Sequence, residues 1–432
     1  ARAPRVAVVG GGISGSLCAM VLRRHGLEPT IFDMGKRALG GRFGSPRSGK
    51  KAPKDFHGAQ FFCTTDATSR FSQVLGFLEH NNLVARWEGR FGVLGSHGGG
   101  FLPKEIIDGS ILGSMQKDKG ATDAEGSEHF GDFCGFLASG SKARLYVGTP
   151  DMASICERIA SMAEVEIRQG VQVTDLRLDN GGWSVSSDAC LPSDTGFDAL
   201  VVAAHNPALA AAAVKRLAVD LHSEILQGGG QDVDGVSRGQ IVERLNGLSG
   251  SLQDLRDSHK APLYTLSAMF PTATLSETLS FDAVACPTSD KLQFVAWEAS
   301  KPGRSGSEDS SEVWTAVSSS GFAQDLIRRG VSNEAAAEEL TEHLLALLKP
   351  AVGERFGELL APSASAKCWR AGFTTKSLGL QEDSIGLEPW RLAICGDFVR
   401  SYPSPIEAAV VSGMEAGERV ASWFSQPAGQ QE

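Results

Sequence analysis

Gly10, Gly12 and Gly15 stand in the spacing G-x-G-x-x-G, a pattern suited to holding a diphosphate. The β-branched run 6–9 precedes them, and a segment of helical character, 14–25, follows. Gly10 permits a tight turn, Gly12 lets the backbone approach a pyrophosphate, and Gly15 lets the helix pack on the sheet. Ile13 and Ser14 open that helix, whose free N–H groups and partial positive charge attract phosphate. Asp33 closes a second apolar run, 30–32, and can accept hydrogen bonds from ribose hydroxyls. A glycine-rich turn without a ligand is the bland alternative. The strand–turn–helix context with a following acid favours a bound dinucleotide.

Two further stretches bear on which dinucleotide. Gly40, Gly41 and Arg42 follow the second run: two glycines for close backbone approach and a guanidinium for charge-assisted bonds to a diphosphate. Near the C-terminus a final buried strand, expected over 391–395, ends in Gly396 and Asp397, and a long helical segment, 404–424, follows. The first stretch resembles the G-R-x-x-G-G-R segment of the FAD-dependent amine oxidase and desaturase group. The second resembles the C-terminal FAD motif of the same group, in which the Asp bonds ribitol or phosphate-side oxygens and a helix N-terminus faces the isoalloxazine.

More of the chain resembles renalase and renalase-like flavoproteins. Asp55 to Phe62 is similar to the D-H-G-A-Q-Y-F segment. Tyr146, Val147, Gly148 and Met152 are similar to Y-V-G-x-P-G-M, Ser300 to Arg304 to S-K-P-G-R, and Trp369 with Arg370 to W-R-Y-A. Glu407 to Ala409 and Ser412 with Gly413 match as well, so the resemblance runs through the chain in order. It departs at Phe56, which separates Asp55 from His57, at Asp151, and at Ala371 with Gly372.

The resemblance implies FAD held without a covalent bond, with Met34, Gly58, Ala59, Gln60, Val173 and Ile406 joining the motif residues around it. It also implies hydride transfer from a small molecule, such as a dihydronicotinamide dinucleotide, to flavin N5, with reoxidation by O2 as one route. An oxidase of an amine, pigment or quinone intermediate is the second reading. A flavin-bearing assembly or interaction subunit without turnover is the third. His57 and Gln60 either face the flavin or brace their loop. Trp369 and Arg370 either wall a substrate pocket and bind an anion, or are a core Trp beside a solvated Arg. Tyr402 is a further candidate near the ring.

The elements that must position these residues read as α/β. A discontinuous Rossmann-like FAD-binding domain is expected over 1–70, 146–206 and 388–424. An α+β substrate domain is expected over 71–145 and 207–387, with a flexible tail at 425–432. Helices are expected at 70–80, 150–163 and 333–349, the last capped by Ser332. A small antiparallel meander is expected over 165–178 and 182–186, leading to a strand at 198–203. Residues 292–298 alternate like a strand, and 301–311 read as loop. Segments 95–100, 114–127 and 228–250 are rich in glycine and polar residues and read as loops. Insertions near 96–130 and 221–260 are candidate contacts for a protein partner.

The chain has 432 residues, 42% hydrophobic and 21% charged, which suits a folded globular protein. A net charge of -10 argues against a nucleic-acid partner. The 8 cysteines form no C-x-x-C pair and read as reduced thiols of an intracellular, soluble protein, in the cytoplasm or an organelle such as a plastid. No metal-ligand spacing and no transmembrane run stand out.

Overall fold

The computed structural model describes residues 2–44, 56–64, 68–95, 100–107, 136–137, 144–188, 194–227, 237–258, 260–304, 311–359, 361–402 and 404–425. Asp55, the expected loop at 114–127 and the tail from 426 lie outside them. The chain divides into two compact units: Ala1–Gly41, Cys156–Lys260 and Thr374–Glu432 form one, and Arg42–Ile155 with Ala261–Phe373 the other. These boundaries differ from those drawn on the sequence. Residues 42–70 fold with the second unit and 207–260 with the first.

The first unit is α/β and Rossmann-like. Its six-stranded sheet has the order Ile385–Leu387, Leu392–Ile394, Ala199–Val202, Arg5–Val9, Glu28–Asp33, Glu166–Gln169. All neighbours are parallel except the outermost pair, Ile385–Leu387 with Leu392–Ile394. Helices cover both faces, which is why 6–9 reads as one uninterrupted apolar run. On one face Ala7, Val9, Leu200 and Val202 meet helix Ala208–Leu226 and helix Arg238–Ser258. Helix Ile13–Arg24 packs against the last helix, Pro405–Ser422, along a seam of small residues. A Cβ on Gly413 would lie 2.6 Å from Ser14 Cα, and one on Gly417 2.9 Å from the Cys18 carbonyl oxygen.

Two expectations change here. Residues 238–250 are helical, because Leu245, Leu252 and Leu255 form a buried stripe that outweighs the poor helix propensity of the glycines between them. Strand Glu166–Gln169 pairs in parallel with Glu28–Asp33 and belongs to the large sheet. The meander itself is Val173–Asp179, Gly182–Ser187 and Asp194–Phe197.

The second unit is built on a seven-stranded, mostly antiparallel sheet. Its order is Ser363–Thr374, Lys260–Phe270, Glu312–Ser318, Leu292–Trp297, Ala283–Ala285, Phe91–Leu94, Phe101–Pro103. Leu266, Ala268, Trp314 and Ala316 point to one face, under Phe322 and Leu326 of helix Ser320–Arg328 and Leu340 and Leu344 of helix Asn333–Val352. Leu263, Phe294, Ala296 and Val317 point to the other, against Phe61, Trp87, Phe136 and Leu145. Burial on both faces explains why Leu292 to Ala296 are all buried although the sequence alternates. Ser332 caps helix Asn333–Val352, its hydroxyl accepting from Ala335 N at 3.2 Å. Among the described residues no helix is long and apolar enough to cross a membrane, and no His/Cys/Asp/Glu group is placed to hold a metal ion.

Candidate functional site

In the first unit the strands Arg5–Val9, Ala199–Val202 and Leu392–Ile394 run parallel, so residues 10–12, 203–206 and 395–397 leave the sheet at the same edge. Open α/β sheets bind ligands at that edge. Gly10 turns there at φ +110, and a Cβ on it would lie 2.8 Å from the Ala203 carbonyl oxygen. Gly12 caps helix Ile13–Arg24 with ordinary backbone angles, φ −73 and ψ −177, and nothing lies within 4 Å of a Cβ built on it. This opening above the helix N-terminus is where the G-x-G-x-x-G geometry places a phosphate. Gly15 lies so close to the Gly10 carbonyl that a side chain has no room. Ile13 is buried, and the Ser14 hydroxyl donates to Ala409 O at 2.7 Å, so both side chains serve packing and only their amides remain for a ligand.

Asp33 organises the loop from below. Its carboxylate accepts from Gly11 N and Gly35 N, each at 2.7 Å. Met34, the next residue along the chain, is exposed. Val171 N donates to Asp33 O, which brings the start of strand Val173–Asp179, and with it Val173, to this corner. Gly40 N donates to Gly11 O at 2.9 Å, and a Cβ on Gly41 would lie 3.9 Å from Gly12 Cα. The two glycine motifs therefore meet. Gly396, at φ +149, gives its N–H to the Ser412 hydroxyl, and Asp397 accepts from the Thr374 hydroxyl at 2.6 Å. Ile406 is half-buried in the first turn of the last helix. The Tyr402 hydroxyl is committed to Asp383 at 2.6 Å, and burial, with that bond, pushes the phenol above its ordinary range.

Arg42, Gly58, Ala59, His57, Gln60, Trp369 and Arg370 belong to the second unit. Ala59 N donates to Arg42 O, and Gly58 lies against the Phe43 carbonyl with no room for a side chain. The Gln60 amide donates to Phe56 O and Gly58 O at 3.0 and 2.8 Å, and its oxygen accepts from Lys301 Nζ at 2.7 Å. Lys301 is almost fully buried, and burial holds its ammonium well below the ordinary lysine range. Its other partner is Glu298 at 2.6 Å, which also accepts from the Thr315 hydroxyl and pairs with Arg304. Gln60 thus braces its own loop, anchored to a buried ion pair. Lys301, expected in a loop, is core. A short S-K-P-G-R stretch carries no burial pattern that marks it.

His57 is buried as well. Its Nδ1 lies 3.2 Å from the Thr265 hydroxyl and its Nε2 3.1 Å from that of Ser365. Thr265 gives its one proton to His57 O and accepts from Trp369 Nε1. Its remaining lone pair faces Nδ1, so bookkeeping assigns the Nδ1–H tautomer to neutral His57, with Nε2 accepting from Ser365. Thr265 and Ser365 lie in no motif that marks them in the sequence. Trp369 and Arg370 do not form one wall. Adjacent residues on a strand leave opposite faces, and Trp369 packs with Phe61 and Phe294 while Arg370 is exposed on the side of Cys368.

A family model for the NAD(P)-binding Rossmann-like domain matches residues 8–78. No curated protein is similar enough in sequence to match. Among solved structures the chain is similar to a putrescine oxidase variant, with 13% identity, TM-score 0.60, and coverage of 97% of this chain and 99% of that one. A cyclohexylamine oxidase from Brevibacterium oxydans gives 12% identity, TM-score 0.58, and coverage of 97% and 99%. A putative protoporphyrinogen oxidase from Exiguobacterium gives 12% identity, TM-score 0.58, and coverage of 97% and 99%. At such identities the likeness is one of fold.

Proposed function

We propose that the chain is an FAD-dependent oxidoreductase that takes a hydride from a small molecule. The observation that carries this reading is the opening at Gly12: a helix N-terminus with unfilled space above it, beside Asp33 and under the Gly40–Gly41 turn. Gly10 to Gly15 would hold the diphosphate and Asp33 the ribose. Gly41 would close over the phosphates, and Asp397 with the N-terminus of the last helix would serve the flavin end. When bound, FAD supplies the hydride acceptor; this chain's residues bind and orient. FAD is preferred to a nicotinamide cofactor because Gly40–Gly41 and Gly396–Asp397 resemble flavoprotein motifs. The names of the structural neighbours, oxidases of amines and of protoporphyrinogen, support the same class.

Renalase-like motifs make a dihydronicotinamide dinucleotide the first substrate to test, ahead of an amine, a pigment or a quinone intermediate. The purified protein should be yellow, carry about one FAD per chain, and release all colour on denaturation and filtration. Anaerobic mixing with a panel of dihydronicotinamide isomers and amines should bleach the flavin with one of them. Colourless protein that cannot be reconstituted would end the FAD reading. Flavin that no donor reduces would favour a flavin-bearing assembly subunit.

A further inference from the structure

Strand Ser363–Thr374 ends the seven-stranded sheet, and its side chains alternate between faces. Ala366 and Cys368 pack against the helix-covered cluster, while Trp369 and Phe373 pack with Phe61 and Phe294. By parity Ser365 and Lys367 share the Trp369 face, as the contact of Ser365 with His57 bears out. Lys367 Nζ lies 3.9 Å from the centroid of the Trp369 ring and is partly buried. Burial holds its ammonium below the ordinary lysine range. Two buried cations of this unit, Lys301 and Arg304, share the carboxylate of Glu298. Among the described residues Lys367 has no carboxylate partner and rests on the indole ring.

The indole face offsets only part of the cost of desolvating an ammonium that has no counter-ion, so an anion brought by a ligand would complete the compensation. We propose that Lys367, held over the Trp369 ring, seats the anionic group, carboxylate or phosphate, of a small-molecule ligand. The role expected of Arg370 passes to Lys367, three residues earlier and on the other face. The inference rests on the oxidoreductase reading only in taking that ligand for the substrate. It implies an anionic substrate class and disfavours a simple ammonium, which Lys367 would repel.

The test is a charge series on one ring: benzoate, benzamide and benzylammonium titrated calorimetrically into the purified protein with its cofactor. Benzoate should bind at least about tenfold more tightly than benzamide, the ratio expected of one charge-assisted contact, with benzylammonium weakest. Lys367→Met should erase the preference for benzoate and Lys367→Arg should keep it, with flavin content and thermal midpoint unchanged. Equal binding of benzoate and benzamide to the unaltered protein overturns the proposal without recourse to any variant. So does a preference that survives in Lys367→Met. A protein that carries no FAD yet prefers benzoate would refute the oxidoreductase reading and leave the anion seat standing.

Discussion

Gly12 and Gly41 need glycine for different reasons, and the difference can be measured. At Gly12 the backbone is one any residue adopts and the space for a Cβ is open, so the free protein has no need of glycine there. Gly12→Ala and Gly12→Val should therefore fold with a thermal midpoint near that of the FAD-free unaltered protein and lose FAD, because the side chain takes the volume of a pyrophosphate. Gly41 sits at φ +53, where a side chain costs roughly 1–2 kcal/mol by itself. Gly41→Val should lower both stability and flavin content. Flavin-to-protein absorbance ratios and melting curves decide the matter; full flavin content in Gly12→Val would refute the phosphate assignment. At the same scale, the Lys301–Glu298 pair shows why a motif residue need not be a site residue. Removing one partner of a buried ion pair leaves the other charge stranded, at a cost of about 3–5 kcal/mol.

At the scale of elements, the first and last helices are held together by an absence of side chains. Gly413 and Gly417 are four residues apart, on one side of the last helix, and the backbone of the first helix fills the space above them. Gly413→Val should force the helices apart and destabilise the protein by about 1–3 kcal/mol, the usual cost of overpacking. Gly250 is the control. It lies in helix Arg238–Ser258 with nothing within 4 Å of its Cβ position, so Gly250→Ala should stabilise by about 0.5–1 kcal/mol. Urea midpoints measured side by side test the pair; a neutral Gly413→Val would show that the helix seam is loose.

At the scale of the whole molecule, three thiols report on the first unit. Cys18 lies on its first helix, Cys156 on helix Met152–Met162, and Cys395 at the end of strand Leu392–Ile394. All are buried. Desolvation pushes Cys156 and Cys395 up to about 12 and Cys18 well above the ordinary thiol range. At pH 8 almost no thiolate exists in the native state, so alkylation must wait for opening of the fold. Iodoacetamide at pH 8 should leave all three unlabelled in the native protein and label them together across the urea transition. Labelling of Cys395 at the rate of a free thiol would contradict its burial.

The sequence alone determined what depends on near neighbours: the strand–turn–helix at Gly10 to Gly15 with Asp33 after it, the Ser332 cap, and the helices at either end of the chain. Each is a local pattern of apolar spacing, capping and glycine that needs no distant residue to be read. Only the tertiary structure decided matters of burial and pairing. Residues 238–250 look like a loop until Ala208–Leu226 gives their leucines a partner surface. Lys301 looks like a surface lysine until Glu298 and Gln60 enclose it. Thr265 and Ser365, respectively 208 and 308 residues from His57, meet it only because a sheet brings their strands under one loop. Trp369 and Arg370, adjacent in sequence, are parted because a strand turns successive side chains to opposite faces, and which face is enclosed is settled by the layers packed on the sheet.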